Sequence, residues 1–144
     1  MTKTTISLSQ LNAVKASEAE FGFPFLLDGE ETGITFLVIG GQAKRLTSAL
    51  TELVNGQRKR AAVAEMKAKT GGRKEEPVFQ PFEEDIDYSN RSAALRLVGW
   101  TGITETFSAD LALELCSNNA DVRTQVVTNS DNMANFMQGL LKTS

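Results

Sequence analysis

The hydrophobic positions of this chain change period along its length, and the changes mark out its elements. Phe23-Pro24-Phe25-Leu26-Leu27 and Ile34-Thr35-Phe36-Leu37-Val38-Ile39 are short apolar runs rich in aromatic and β-branched residues, which suit a pleated, half-buried surface. Pro24 favours an extended segment, because proline removes a ladder donor and restricts the residue before it. Asp28-Gly29-Glu30-Glu31-Thr32-Gly33 between the runs has turn composition. The pair predicts a β-hairpin with a long loop, closing at Gly40-Gly41. Upstream, two readings stay open. Ile6-Ser7-Leu8-Ser9-Gln10-Leu11 alternates as a strand would, whereas Leu11, Val14 and Ala19 fit a short helical stretch.

From about Gln42 the period lengthens. Leu46, Ala49, Leu50, Leu53 and Val54 fall on one face of a helix. Gly56 weakens or bends that helix, at a cost of about 1 kcal/mol relative to alanine. Gln57 to Thr70 is rich in Ala, Lys, Arg and Glu, with only Val63 and Met66 as bulky apolar members, and predicts a poorly buried helix ended by Gly71-Gly72. Residues 71–87 read as a linker, with Pro77 and Pro81 excluding a regular helix and Phe79 and Phe82 tacking the segment onto a neighbouring surface. Tyr88 to Val98 is helical by pattern until Gly99 interrupts. Ser108 is a good N-cap for a helix from Ala109 to Cys116, with Asp110 in its first turn, and Asn118 and Asn119 supply the next break and cap. Beyond Ala120, Val122, Val126, Met133, Phe136, Met137, Leu140 and Leu141 mark one stripe. The polar interval from Thr128 to Asn132 is either a kink or the exposed side of one long helix. The whole predicts a single domain over 1–144, mainly α with a small N-terminal β-hairpin (α+β). Its parts are a hairpin region at 1–41, a charged helix at 42–70, a Pro/acidic linker at 71–87 and a helical C-terminal half at 88–144.

Size agrees with that picture. A chain of 144 residues buries about two thirds of its unfolded surface without needing staples. Its hydrophobic fraction of 41% is slightly below the usual globular value, which points to a small core with extended or polar parts. No run approaches the ~20 apolar residues that span a bilayer. The N-terminus lacks a signal-peptide core, and a lone cysteine suggests a reducing cytoplasm.

Charge sharpens the middle of the chain. Nine of the 15 basic residues lie between Lys44 and Lys74, and six of the 18 acidic ones crowd into 75–87. Arg58, Lys59 and Arg60 in the first block and Glu83, Glu84 and Asp85 in the second could form a solvated face or pair identical subunits. Nucleic-acid binding through Arg58 to Lys74 is the third reading. The adjoining acidic run would repel phosphate, and no aromatic ladder interleaves the basic residues.

The residues for covalent chemistry are sparse. There is no histidine, the usual base for a serine or cysteine nucleophile. Cys116 sits on an apolar helix face and reads as a structural thiol. Glu83, Glu84 and Asp85 could bind a hard cation, but they read as a solvated run in a proline-flanked segment. Gly40-Gly41-Gln42-Ala43-Lys44-Arg45 lacks the spacing of a phosphate loop. A binding role without catalytic residues, metal or cofactor is expected. Trp100 between Gly99 and Gly102 is either a core anchor beside tight turns or a partner-facing hot spot.

The order of hairpin, helix and acidic linker, then Leu97-Val98-Gly99-Trp100-Thr101-Gly102-Ile103, Phe107-Ser108, the helix that follows and Asn132-Met133-Ala134-Asn135-Phe136, resembles the tail assembly chaperones of long-tailed bacteriophages. The resemblance covers roughly residues 20 to 138, apart from the charged insert at 56–82. It implies a mostly helical, self-associating, non-virion factor in the host cytoplasm that coats the tape-measure protein and helps recruit tail-tube protein. Neither membrane nor nucleic acid is expected as a partner. Met133, Phe136, Met137 and Leu140 form an adaptable apolar group suited to such a client, or else a plain core stripe. A tail-completion or tail-terminator protein of the virion is the alternative.

Overall fold

The computed structural model describes residues 5–70 and 81–140. Strands β1 (Phe21–Leu27), β2 (Glu30–Val38) and β3 (Leu97–Thr101) form an antiparallel sheet in the order β1-β2-β3. The α+β class is as the sequence predicts, with two local differences in the sheet. First, the hairpin has no long loop. Asp28 (φ 51°) and Gly29 (φ 79°) both take positive φ, as a two-residue hairpin turn with the twist of its strands requires. Glu30, Glu31 and Thr32 look like loop by composition because they extend β2 into solvent. Second, the segment after Arg96 is a third strand and not the end of a helix. Phe36 pairs with Trp100 and Leu37 with Gly99, so pairing with β2 overrides the local helical pattern.

The helices are α1 (Ala13–Ala16), α2 (Lys44–Thr70), α3 (Pro81–Arg96), α4 (Ala109–Asn118) and α5 (Ala120–Asp131). The N-terminal ambiguity resolves as helical turns: a 3-10 turn at Leu8–Leu11 leads into α1. Helix α2 runs unbroken through Gly56 for 27 residues, about 40 Å at 1.5 Å per residue. The linker assignment changes at its C-terminal end, because α3 begins at Pro81 and takes in 81–87. Proline is tolerated at the first helical position, where its missing N–H would have had no partner. The rest of the linker, with Pro77 and Phe79, lies outside the described residues. Phe82 does not tack it down, being 75% exposed.

Ser108 and Asn119 cap as expected. Ser108 Oγ accepts from Leu111 N at 3.1 Å, and Asn119 Oδ1 accepts from Asp121 N and Val122 N at 3.0 and 3.1 Å. The C-terminal stripe is not one helix. It ends at Asp131, and Met133–Asn135 and Gln138–Leu140 are separate 3-10 turns. Asn132 Oδ1 caps the first by accepting from Ala134 N, the local hydrogen bonding that draws asparagine to helix ends.

One face of the sheet, carrying Phe23, Phe25, Phe36, Val38 and Leu97, packs on Ala93, Ala112, Cys116, Val122 and Val126 from α3, α4 and α5. A smaller cluster of Ile39, Ala43 and Leu46, with Leu50 and Val98, anchors the start of α2. That start is capped from far away in sequence: Glu18 Oε1 accepts from Lys44 N at 2.8 Å, and its other oxygen lies 3.5 Å from Arg45 Nε. No helix among the described residues is long and apolar enough to cross a membrane.

Candidate interaction surfaces

The Gly-Trp segment is a packed unit. Trp100 packs in a tilted contact on Phe107 at a centroid distance of 5.0 Å and meets Phe36 edge-on at 6.5 Å, while its Nε1 donates to Glu105 O at 2.8 Å. These contacts give the indole both the apolar bed and the polar partner that a largely buried tryptophan needs. Gly99 lets β3 pass under Leu37, whose Cδ1 would stand 3.0 Å from an added Cβ. Gly102 has φ +84° and would bring a Cβ within 2.5 Å of Gly33 O. The β2 register shifts between Pro24 and Leu26, and Gly33 in that irregular stretch itself has positive φ. The tight approach of the β3 exit to this bulge is therefore built from two glycines.

The two charge blocks meet within one chain. Arg60 on α2 makes a forked contact with Glu84 on α3, Nε to Oε1 at 2.6 Å and Nη2 to Oε2 at 2.5 Å, and Gln57 Nε2 donates to Glu84 O at 2.8 Å. The guanidinium hydrogen bond holds the Glu84 carboxyl below the ordinary carboxylate range against an opposing desolvation, and the Arg60 guanidinium is raised by the same bond. Arg60 and Glu84 are thus committed to the α2–α3 pairing, whereas Arg58, Lys59, Glu83 and Asp85 remain exposed. The groove between the helices measures about 610 Å³ and is lined by Leu53 and Gly56 together with Glu52, Glu83, Asp87 and Arg91. Asp87 and Arg91 pair along α3 at 2.9 Å, which with the Arg60–Glu84 pair leaves Glu52 and Glu83 as the groove's uncompensated charges among the described residues. No group of metal-ligating side chains is assembled among the described residues.

The C-terminal apolar group is divided. Phe136 packs edge-on against Phe21 at 5.9 Å and adds to the core. Met133, Met137 and Leu140 are half-buried. Met133 Sδ accepts from Ser17 Oγ at 3.5 Å, which joins the C-terminal turns to the N-terminal segment. That segment exposes Ile6, Leu8, Leu11 and Val14. The Ser17–Met133 contact thus links the two ends of the described chain, a pairing no local pattern could reveal. Cys116 is fully buried, and its thiol is pushed up to about 11 by desolvation, with nearby Arg123 acting in the opposite direction. It is a structural thiol, as its helix face suggests.

Sequence reasoning missed two features. Arg96 is a buried charge: Nη1 donates to Ser130 Oγ at 3.1 Å and to Asp131 Oδ1 at 2.5 Å, and Nε is buried without a partner among the described residues. Phe82 and Ile86, exposed on the first two turns of α3, were hidden in the supposed linker. The available signal was their spacing of four, in step with Ala93. No protein-family profile, curated protein or solved structure matches this chain.

Proposed function

We propose that this chain is a non-catalytic tail assembly chaperone of the kind found in long-tailed phages, acting in the host cytoplasm to shield the helical tape-measure protein and help recruit tail-tube subunits. The observation that carries the reading is the Leu97 to Cys116 stretch. Its Gly-Trp-Thr-Gly-Ile residues and Phe-Ser cap, the residues of the family resemblance, make one packed unit of strand, glycine turn, tilted Trp100–Phe107 pair and Ser108-capped helix. Support also comes from the terminal apolar surface. Leu11 and Val14 are exposed in the N-terminal segment and Met137 and Leu140 half-exposed in the C-terminal turns, and the Ser17–Met133 contact links the two segments. Unbranched, polarisable methionine side chains adapt to many weakly related helical turns, which is what a protein coating a long apolar client requires.

The test is co-production with a tape-measure protein. The chain is expected to keep that client soluble and to co-elute with it, and Met137→Glu with Val14→Glu is expected to weaken both effects. A client that precipitates equally with and without the chain overturns the proposal. So do stoichiometric copies of the chain in mature particles by mass spectrometry, which would favour a tail-completion or tail-terminator protein.

A further inference from the structure

Helix α3 carries an apolar stripe that runs past the end of its cover. Phe82, Ile86, Asn90 and Ala93 recur at helical spacing. Ala93 is fully buried in the core. At Asn90 the cover ends: Arg123 Nη1 donates to Asn90 Oδ1 at 2.9 Å and to Cys116 O at 2.8 Å, tying α3 to the α4–α5 turn there. Beyond that tie Phe82 is 75% and Ile86 47% exposed, and Glu83 and Asp85 stand exposed beside them. The same chain presents the complement on α2. Lys59, Val63 and Lys67 are exposed at intervals of four, Val63 being 44% exposed. Among the described residues neither lysine makes an ion pair, nor do Glu83 and Asp85.

We infer that a second copy of this chain docks here, with the Lys59–Val63–Lys67 face of α2 from one protomer lying on the Phe82–Ile86 face of α3 from its partner. Each protomer carries both faces, and in the arrangement inferred the two contacts form together about a two-fold axis and close as a dimer, in place of the open chain that repeated single contacts would build. The apolar side chains supply the affinity, and the flanking charges set the orientation. Arg60 and Glu84 take no part, being held by each other within each protomer. This inference is independent of the chaperone reading, since it concerns only how the chain meets itself.

Sedimentation of the full chain over a concentration series tests it. The wild-type protein is expected to dimerise, more weakly as salt is raised. Phe82→Asp with Ile86→Asp is expected to weaken dimerisation by about tenfold or more, with circular dichroism unchanged and the concentration dependence of melting reduced. Lys59→Glu with Lys67→Glu, and Glu83→Lys with Asp85→Lys, are each expected to dissociate the dimer as pairs. Mixing the two charge-reversed proteins restores both contacts in the mixed dimer, one through the exchanged charges and one through the native pair, and combining all four changes in one chain restores both through exchanged charges. The inference is overturned if the wild-type chain is a monomer throughout, or if the Phe82 and Ile86 changes leave its association intact. It is also overturned if the four-change protein stays dissociated, or if a monomeric wild type takes up a basic helix of another protein on this face.

Discussion

Single side chains in this fold divide by what surrounds them, and glycine shows it most plainly. Gly29 and Gly102 both have positive φ, but an added Cβ meets nothing within 4 Å at Gly29 and meets Gly33 O at 2.5 Å at Gly102. Gly29→Ala should therefore cost only the left-handed penalty of about 1–2 kcal/mol. Gly102→Ala should cost more, roughly 3 kcal/mol, because the β3 exit must also back away from the β2 bulge. Urea denaturation of the two variants would show the order, and equal losses would mean that the loop relaxes freely. Cys116 gives a second test. Its thiol ionises at about 11 in the folded chain against 9.0 ordinarily, so the unfolded chain loses its proton first. The resulting loss of stability is absent below the ordinary value and grows as pH rises from there to about 11. Cys116→Ala should remove this alkaline component, and native protein near neutral pH should react with a thiol reagent only as fast as it opens.

Between whole elements, legibility follows the range of the interaction that fixes each one. Helix α4 is readable because Ser108 and Asp110 act within its first turn, and replacing Ser108 with alanine should cost about 1 kcal/mol of stability in a thermal melt. Strand β3 was not readable, because what makes Leu97 to Thr101 extended is pairing with β2 far back in the chain. The start of α3 was misplaced for a different reason: proline breaks a helix inside but opens one at its first position. That error concealed how α2 and α3 are joined. The Arg60–Glu84 bond lowers the Glu84 carboxyl, so the pairing it supports is fully present above the ordinary glutamate value and is lost as pH falls through the lowered one. Acidification should loosen the α3 N-terminus from α2, seen as faster amide exchange around Ile86. Glu84→Gln should show that exchange already at neutral pH and no further acid response of its own.

The molecule as a whole is closed by a polar junction that no hydrophobic pattern announces, and its energetics can be taken apart. Ile39 N donates to Arg96 O, Gly40 N to Ser17 O and Gly41 N to Ser130 O, while Ser130 Oγ donates to Ile39 O at 2.7 Å. Four segments meet there: the turn after α1, the end of β2, the end of α3 and the end of α5. Ser17 and Ser130 are fully buried and Arg96 is 7% exposed. A Cβ at Gly40 would overlap Ser17 down to its Cα, so the backbone approach there needs glycine, whereas a Cβ at Gly41 would displace the Asp131 carboxylate from Arg96. Arg96 lies at the carbonyl end of α5, where a positive charge is favoured, but its guanidinium is desolvated and its countercharge Asp131 is half exposed. Removing the acid strands a buried charge, whereas replacing the arginine with a flexible apolar side chain removes the charge together with its need for a partner. Asp131→Ala should therefore cost about 2–3 kcal/mol, a range set below that for a fully buried pair because water screens the carboxylate. Arg96→Met should cost less, near 1 kcal/mol. The double variant should resemble Arg96→Met alone, so the coupling between the two sites should equal the whole Asp131→Ala cost, about 2–3 kcal/mol. If Arg96→Met proves the costlier single change, the Ser130 bond and the stem packing of Arg96 hold the four segments together, and the ion pair with Asp131 is secondary.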